Sequence, residues 1–405
     1  MKKRALSFLL GASLTVGLLS GCGSGAAGNA PSASGSGSGT SSADKIVIGG
    51  IFDTSGNYTP YDQPAANGFQ LAIDEINANG GIDGKQVDYK FINGQSSVTE
   101  NSNAATKLIE QEKVSVIAGN CVTDDVLAGG TVAQDDGVPY ITVGATLPDL
   151  PDRIGDCFYL ACYGDNVQAY ASAEYAYNEL GARTAYVLED STSEYTQALS
   201  KYFQKHFTEL GGKIVLADTY DENGYTDFSA EISKVNALET KPDVLFFASF
   251  TDQGGIMLKQ FRAKGVDMPV LSGDGFDDTS IAQVAGSAAD NAYYTTHVDY
   301  TSADPKVTAF VENYTKKYGK APENAFAALG YDTVYLIKYA IENYANGDYS
   351  PESIKKAIGQ VQGFKGITGT ISYENGSRVP SKTVTINMFS SGSITHVTDL
   401  TPKMN

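Results

Sequence analysis

Three residues pose the chemical question in this chain: Thr123, Thr146 and Asp274. Each sits in a loop that follows a short β-branched or aromatic run. "GNCVTDD" (119–125) follows "VSVIAG", "GATLPDL" (144–150) follows "PYITVG", and "SGDGFDD" (272–278) follows "PVL". A fourth loop, "TSGNYTPYDQ" (54–63), mixes polar groups with aromatic rings. In open parallel sheets, ligands bind in the crevice outside the carboxyl ends of the strands. Thr123 can cap the helix that follows it, and its hydroxyl beside the helix amides also suits an anion. Asp274 is either a turn aspartate or an anion that faces the space between two halves of the chain. Hydroxyls and helix amides on one side, with a carboxylate opposite, suit a zwitterion. The ligand carboxylate takes the hydroxyls and amides, and its ammonium takes Asp274.

Other chemistry finds little footing. No G-x-S-x-G, no P-loop and no G-x-G-x-x-G after a strand is present, so the chain reads as a binder rather than an enzyme. His206, His297 and His396 lie far apart with no metal-ligand spacing, and neither a metal nor a cofactor is expected. The net charge of −18 argues against nucleic acid, because phosphate contacts need clustered Lys and Arg.

The elements that must position these loops alternate along the chain. "KIVIGGI" (45–51) reads as a buried strand, and "GFQLAIDEINANGG" as a helix with Phe69, Ala72, Ile73 and Ile76 on one face. "VDYKFI", a helix at 100–112, "VSVIAG", a helix at 124–136 and "PYITVG" follow. The order restarts with "TAYVLE" (184–189), a helix at 194–210, "KIVLADTY", a helix at 227–238, "DVLFFAS" (243–249), a helix at 254–264 and "PVLSGD". Then come "AYYTTHV" (292–298), helices at 304–318 and 323–345, and a β-rich tail in which "ENG" marks a turn. This pattern predicts an α/β fold of two doubly wound parallel-sheet lobes. Cys121, Cys157 and Cys162 permit one disulfide and one free thiol, or none.

The N-terminus gives an address. Lys2, Lys3 and Arg4 precede an apolar stretch, Ala5 to Leu19, that is short for a bilayer span and reads as a secretion signal. "LSGC" (19–22) resembles the bacterial lipobox, which implies a lipid on Cys22 and removal of residues 1–21. Removal takes the net charge from −18 to −21. The Gly/Ser/Ala-rich stretch to residue 43 is then a flexible tether with a span of about 25 Å. Two acyl chains hold a protein stably to a membrane where one does not.

Four stretches carry a wider resemblance: "IVIGGIFDTSGNYTPYDQPAANGFQLAIDEINANGGIDGK", "AGNCVTDDVLAGGTVAQDDGVPYITVGATLPDL", "LEDSTSEYTQAL" and "ALGYDTVYLIKYAIE". The chain after the tether resembles the periplasmic-binding-protein-like solute receptors of the Leu/Ile/Val type that serve ABC importers. The resemblance implies lobes of residues 44–163 plus 297–380 and 164–296 plus 381–405, joined by three crossovers and closing by hinge motion. It implies a small-molecule ligand, an amino acid, carried by a monomer anchored on the outer face of the bacterial cell membrane, with ABC permease subunits as partners. By position, Tyr61 contacts the side-chain end of the ligand, and Thr123 bonds its carboxylate and ammonium region. Gly144, Ala145 and Thr146 hold the α-amino and carboxylate groups. Tyr195 covers the ligand from the second lobe, Phe250 lines the cleft, and Asp274 pairs with the ammonium. Asp124 and Asp125 depart from the small polar residues common in the family and are expected to point away from the cleft. A ligand-sensing receptor subunit would use the same lobes, and the family's ligands extend to amides, urea and other small metabolites.

Overall fold

Two sheets organise the chain, and both are wound in the same order. The computed structural model describes residues 46–404. The first sheet contains β1 (Ile46–Phe52), β2 (Val87–Asn93), β3 (Val116–Gly119), β4 (Tyr140–Thr142) and β5 (Phe158–Leu160). Its order is β2-β1-β3-β4-β5, all parallel. The second holds β6 (Thr184–Asp190), β7 (Lys213–Tyr220), β8 (Val244–Ala248), β9 (Val270–Ser272) and β10 (Ala292–Thr296). Their order, β7-β6-β8-β9-β10, repeats that of the first sheet. A short hairpin, β11 (Phe364–Gly366) with β12 (Gly369–Ile371), stands apart. Then β13 (Val384–Ser390) and β14 (Ser393–Leu400) extend the second sheet as an antiparallel edge on β10.

Helices cover these sheets, which is why the central strands are continuous apolar runs. β1, β3, β8 and β9 are buried along their whole length, while β2 and β7 at the edges are partly exposed. The helices of the first half are α1 (Thr59–Ala78), α2 (Val98–Glu110), α3 (Thr123–Asp135) and α4 (Leu150–Ile154), while α5 (Asp165–Glu174), past the first crossover, packs into the core of the second sheet. The second half has α6 (Glu194–Glu209), α7 (Ser229–Ala237), α8 (Thr251–Ala263) and α9 (Ser280–Ala285). After β10 come α10 (Pro305–Tyr318), α11 (Phe326–Tyr344) and α12 (Pro351–Ile358). Side chains of α11 and α12 belong to the core of the first sheet, and α10 packs on α1 and α11. The chain therefore passes between the lobes after β5, after β10 and after β12.

The expected α/β architecture of two parallel-sheet lobes is what the structure has. Its boundaries differ in places with physical reasons. The stretch 54–63, expected as loop, is helical from Thr59: Pro60 sits in the first turn, where a helix tolerates proline, and Pro64 lies inside the helix. Tyr61 therefore projects from the first turn of α1. Three elements had no sequence signal: α4, the three-residue β5, and α5, which is buried on nearly every face and so lacks amphipathic periodicity. Cys121, Cys157 and Cys162 are buried free thiols. No described helix is long and apolar enough to cross a membrane. The signal segment 1–21, Cys22 and the tether 22–43 lie outside the described residues.

Candidate functional site

The loops singled out by residue type converge on one small cavity between the sheets. Tyr61, Thr123, Gly144 and Thr146 line it from the first lobe. Tyr195, Phe250 and Asp274 line it from the second. Each comes off the carboxyl end of a parallel strand. Ala145 is the exception. Its N–H donates to the Thr142 hydroxyl at 3.0 Å and its carbonyl accepts from the Cys162 thiol, so it stands behind the cavity and not in its wall.

Local geometry explains how each group arrives. Thr123 is the first residue of α3, and Val122 occupies the cap position with no side-chain cap bond. The expected Thr123 cap is therefore absent, and the unpartnered N–H groups of a helix start lie beside the Thr123 hydroxyl. Tyr61 and Phe326 meet because α1 and α11 pack with backbones nearly touching. A Cβ on Gly68 would stand 1.8 Å from the Ala327 carbonyl oxygen, and one on Gly330 would stand 2.1 Å from that of Ala65. The two rings, at 5.3 Å, meet edge to face. A Cβ on Gly144 would lie 2.6 Å from the Phe326 ring, so glycine is what admits this ring to the cavity wall. Gly144→Ala is expected to cost about 1–3 kcal/mol of stability by overpacking. Urea unfolding in a double-mutant cycle checks this: the cost should largely vanish in a Phe326→Ala background.

Asp274 is the electrostatic centre. It is 2% exposed and held by neutral donors. Its Oδ1 accepts from the Tyr195 hydroxyl and from Gln168 Nε2, both at 2.9 Å. Its Oδ2 lies 3.0 Å from His297 Nε2. Burial lowers the His297 pKa, against the pull of Asp274, so the imidazole is neutral with its proton on Nε2. Burial, and then Asp274, push the Tyr195 hydroxyl far up, which keeps it a donor. Gln168 is saturated: Nε2 also donates to Asp165 Oδ1 at 2.9 Å, and Oε1 accepts from Asp274 N–H and the Thr295 hydroxyl. Asp165, adjoining Thr146, is pushed up to about 8 by burial and then by Asp274. Asp274 is thus a buried carboxyl group whose bonded side chains, Tyr195, Gln168 and His297, orient it without supplying a lysine or arginine.

Other contacts tie the lobes across the cavity. The Tyr61 hydroxyl accepts from Thr251 N–H at 2.9 Å and donates to the Gly275 carbonyl at 3.0 Å. Arg153 of α4 pairs in a fork with Glu194 at the start of α6. Phe250 packs against Tyr61 and Tyr195 with ring centroids 5.9 and 5.3 Å away. So drawn together, the lobes leave a cavity of about 20 Å³, roughly the room of one water.

The acids after Thr123 part company. Asp124 is exposed, whereas Asp125 turns into the lobe. There it meets Asp53 and Asp62, and all three are at most 1% exposed. Burial and Asp53 push Asp125 up to about 9 and raise Asp62 well above the usual carboxylate range. Asp125 is thus a neutral acid beneath the site, and like Asp124 it is not among the residues that line the cavity.

Gln168, His297, Phe326 and Thr251 were not singled out by sequence as site residues. Gln168 lies on the helix with no periodic signal. His297 and Phe326 sit beside crossovers, far in sequence from what they touch. The histidine near the end of the run "AYYTTHV" was the one available clue.

Comparison with known proteins agrees with this fold. Residues 45–390 match the family described as periplasmic binding protein. The Leu/Ile/Val-binding protein homolog 3 of Brucella melitensis is 25% identical over 349 residues, covering 86% of this chain and 92% of the relative. The branched-chain amino acid transporter substrate-binding protein of Streptococcus pneumoniae, solved with isoleucine, superposes with TM-score 0.80 at 30% identity, covering 88% of this chain and 100% of that one. A leucine-binding protein of Thermotoga maritima gives TM-score 0.80 at 31% identity, covering 88% and 99%.

Proposed function

The chain belongs to the periplasmic binding protein family, and from that premise we propose that it is the solute receptor of an ABC importer for branched-chain or other apolar L-amino acids. One observation carries the reading to this ligand class: Asp274, buried and bonded only to neutral donors, lines the same cavity as Thr123 and Thr146 of the other lobe. A buried carboxylate without a cation favours an ammonium as its partner. The hydroxyls and the helix start of α3 favour the ligand carboxylate. The Gly144 carbonyl takes a second ammonium proton, Tyr61 and Phe250 meet the side chain, and Tyr195 walls the second lobe. The related proteins named above bind leucine, isoleucine or valine by their descriptions.

An amino acid needs more room than about 20 Å³, so entry requires the lobes to part and the Tyr61 bonds to Thr251 and Gly275 to break. Closure re-forms them around the ligand, and the closed form is what the permease receives. The lobes are those of residues 44–163 with 297–380 and 164–296 with 381–405. Titration calorimetry of residues 44–405 with leucine, isoleucine and valine tests the reading, with small-angle scattering alongside. Saturable heat and a more compact scattering profile are expected. Absence of binding by every apolar amino acid would overturn it.

The receptor works as a monomer tethered by a lipid on Cys22. Cys22→Ser is expected to abolish incorporation of labelled fatty acid and release the protein from membranes. Unchanged labelling would contradict the anchor.

A further inference from the structure

Next to the inner cavity lies a second, larger chamber of about 350 Å³. The two share Tyr61 and Phe250 as lining residues. Its other surfaces come from both lobes: Tyr58 before α1, Glu222 after β7, and Asp252 in the first turn of α8. Three aromatic rings thus stand near two carboxylates, with the Tyr58 and Phe250 centroids 6.0 Å apart. No lysine or arginine lines the chamber among the described residues. Burial, and then the neighbouring acids Asp190, Asp252 and Asp221, push Glu222 up to about 7. A cleft lined by one sign of charge between low-dielectric walls focuses its field on what enters. Aromatic faces attract cations too.

We propose that this chamber is a subsite for a cationic group, so that the receptor also takes L-amino acids whose side chains end in an ammonium or guanidinium. The inference rests on the reading that the inner cavity holds the α-amino and α-carboxylate groups. From there the side chain runs toward Tyr61 and Phe250, and a long one passes them into the chamber. An apolar side chain of the same length leaves the carboxylates unanswered, and an acidic one is repelled.

The test is titration calorimetry with L-leucine, L-norleucine, L-lysine and L-glutamate. Norleucine matches the lysine chain without its ammonium. Lysine is expected to bind at least tenfold more tightly than norleucine, and glutamate not to bind. The Glu222→Gln/Asp252→Asn double variant should weaken lysine at least tenfold and norleucine less than twofold. Leucine binding without lysine binding overturns the subsite and leaves the amino-acid reading standing. Equal losses for lysine and norleucine in the double variant also overturn it. Failure of all four ligands overturns the amino-acid reading and the subsite with it.

Discussion

Asp274→Ala is expected to weaken leucine binding by roughly 30-fold to several thousand-fold, which corresponds to the 2–5 kcal/mol cost of truncating one partner of a buried charge pair. The alanine variant also strips Tyr195, Gln168 and His297 of their common acceptor, so part of its effect is structural. Asp274→Asn separates the two contributions. The amide oxygen still accepts from Tyr195 and Gln168. The amide nitrogen then faces His297, whose proton can move to Nδ1, an atom with no partner in the present arrangement. The asparagine variant should therefore melt close to the wild type while losing at least tenfold in leucine affinity. A loss below threefold in calorimetry would take Asp274 out of the ammonium site.

The second large effect is on stability and its pH dependence. Asp125 is pushed up to about 9 by burial and Asp53, against about 3.9 in an unfolded chain. Below the unfolded value both states hold the proton, and the stability from this group is fully present. As pH rises, the unfolded chain ionises while the folded one keeps its proton. Stability is then lost at up to about 1.4 kcal/mol per pH unit until pH passes the folded value. Asp125→Asn keeps a donor toward Asp53 and has nothing to ionise. Its stability relative to the wild type should therefore rise steadily from pH 5 to pH 8 in urea unfolding. Taking the difference between the two proteins cancels raised acids remote from Asp125, such as Asp165, Asp277 and Glu222. A difference that does not change with pH would contradict the buried neutral acid.

These two aspartates show what residue order can and cannot disclose. Asp274 was legible because it follows a short apolar strand, and chain position alone places strand-end loops at the crevice of a parallel sheet. The same logic found Thr123, Thr146 and the loop that carries Tyr61, and the resemblance picked out Tyr61 itself. The burial of Asp125 was not legible, because helical phase, not neighbourhood, decides its direction. Adjacent positions in a helix point about 100° apart, which sends Asp124 to solvent and Asp125 to the core. Gln168 escaped notice because α5 is buried on nearly all sides and shows no stripe. His297 escaped because its partner lies 23 residues away and is reached only once β9 and β10 pair. Contacts between crossovers and strand ends depend on closure of the whole fold, and local pattern does not encode them.

The central claim is that the cavity recognises both charges of one amino acid. Calorimetric titration with L-leucine, and separately with 3-methylbutylamine and 4-methylpentanoate, tests it most directly. The amine keeps leucine's ammonium and side chain, and the acid keeps its carboxylate and side chain. Leucine binding at least a hundredfold more tightly than either half is the predicted result. Equal binding of leucine and 4-methylpentanoate would show that no ammonium site operates at Asp274 and would contradict the account.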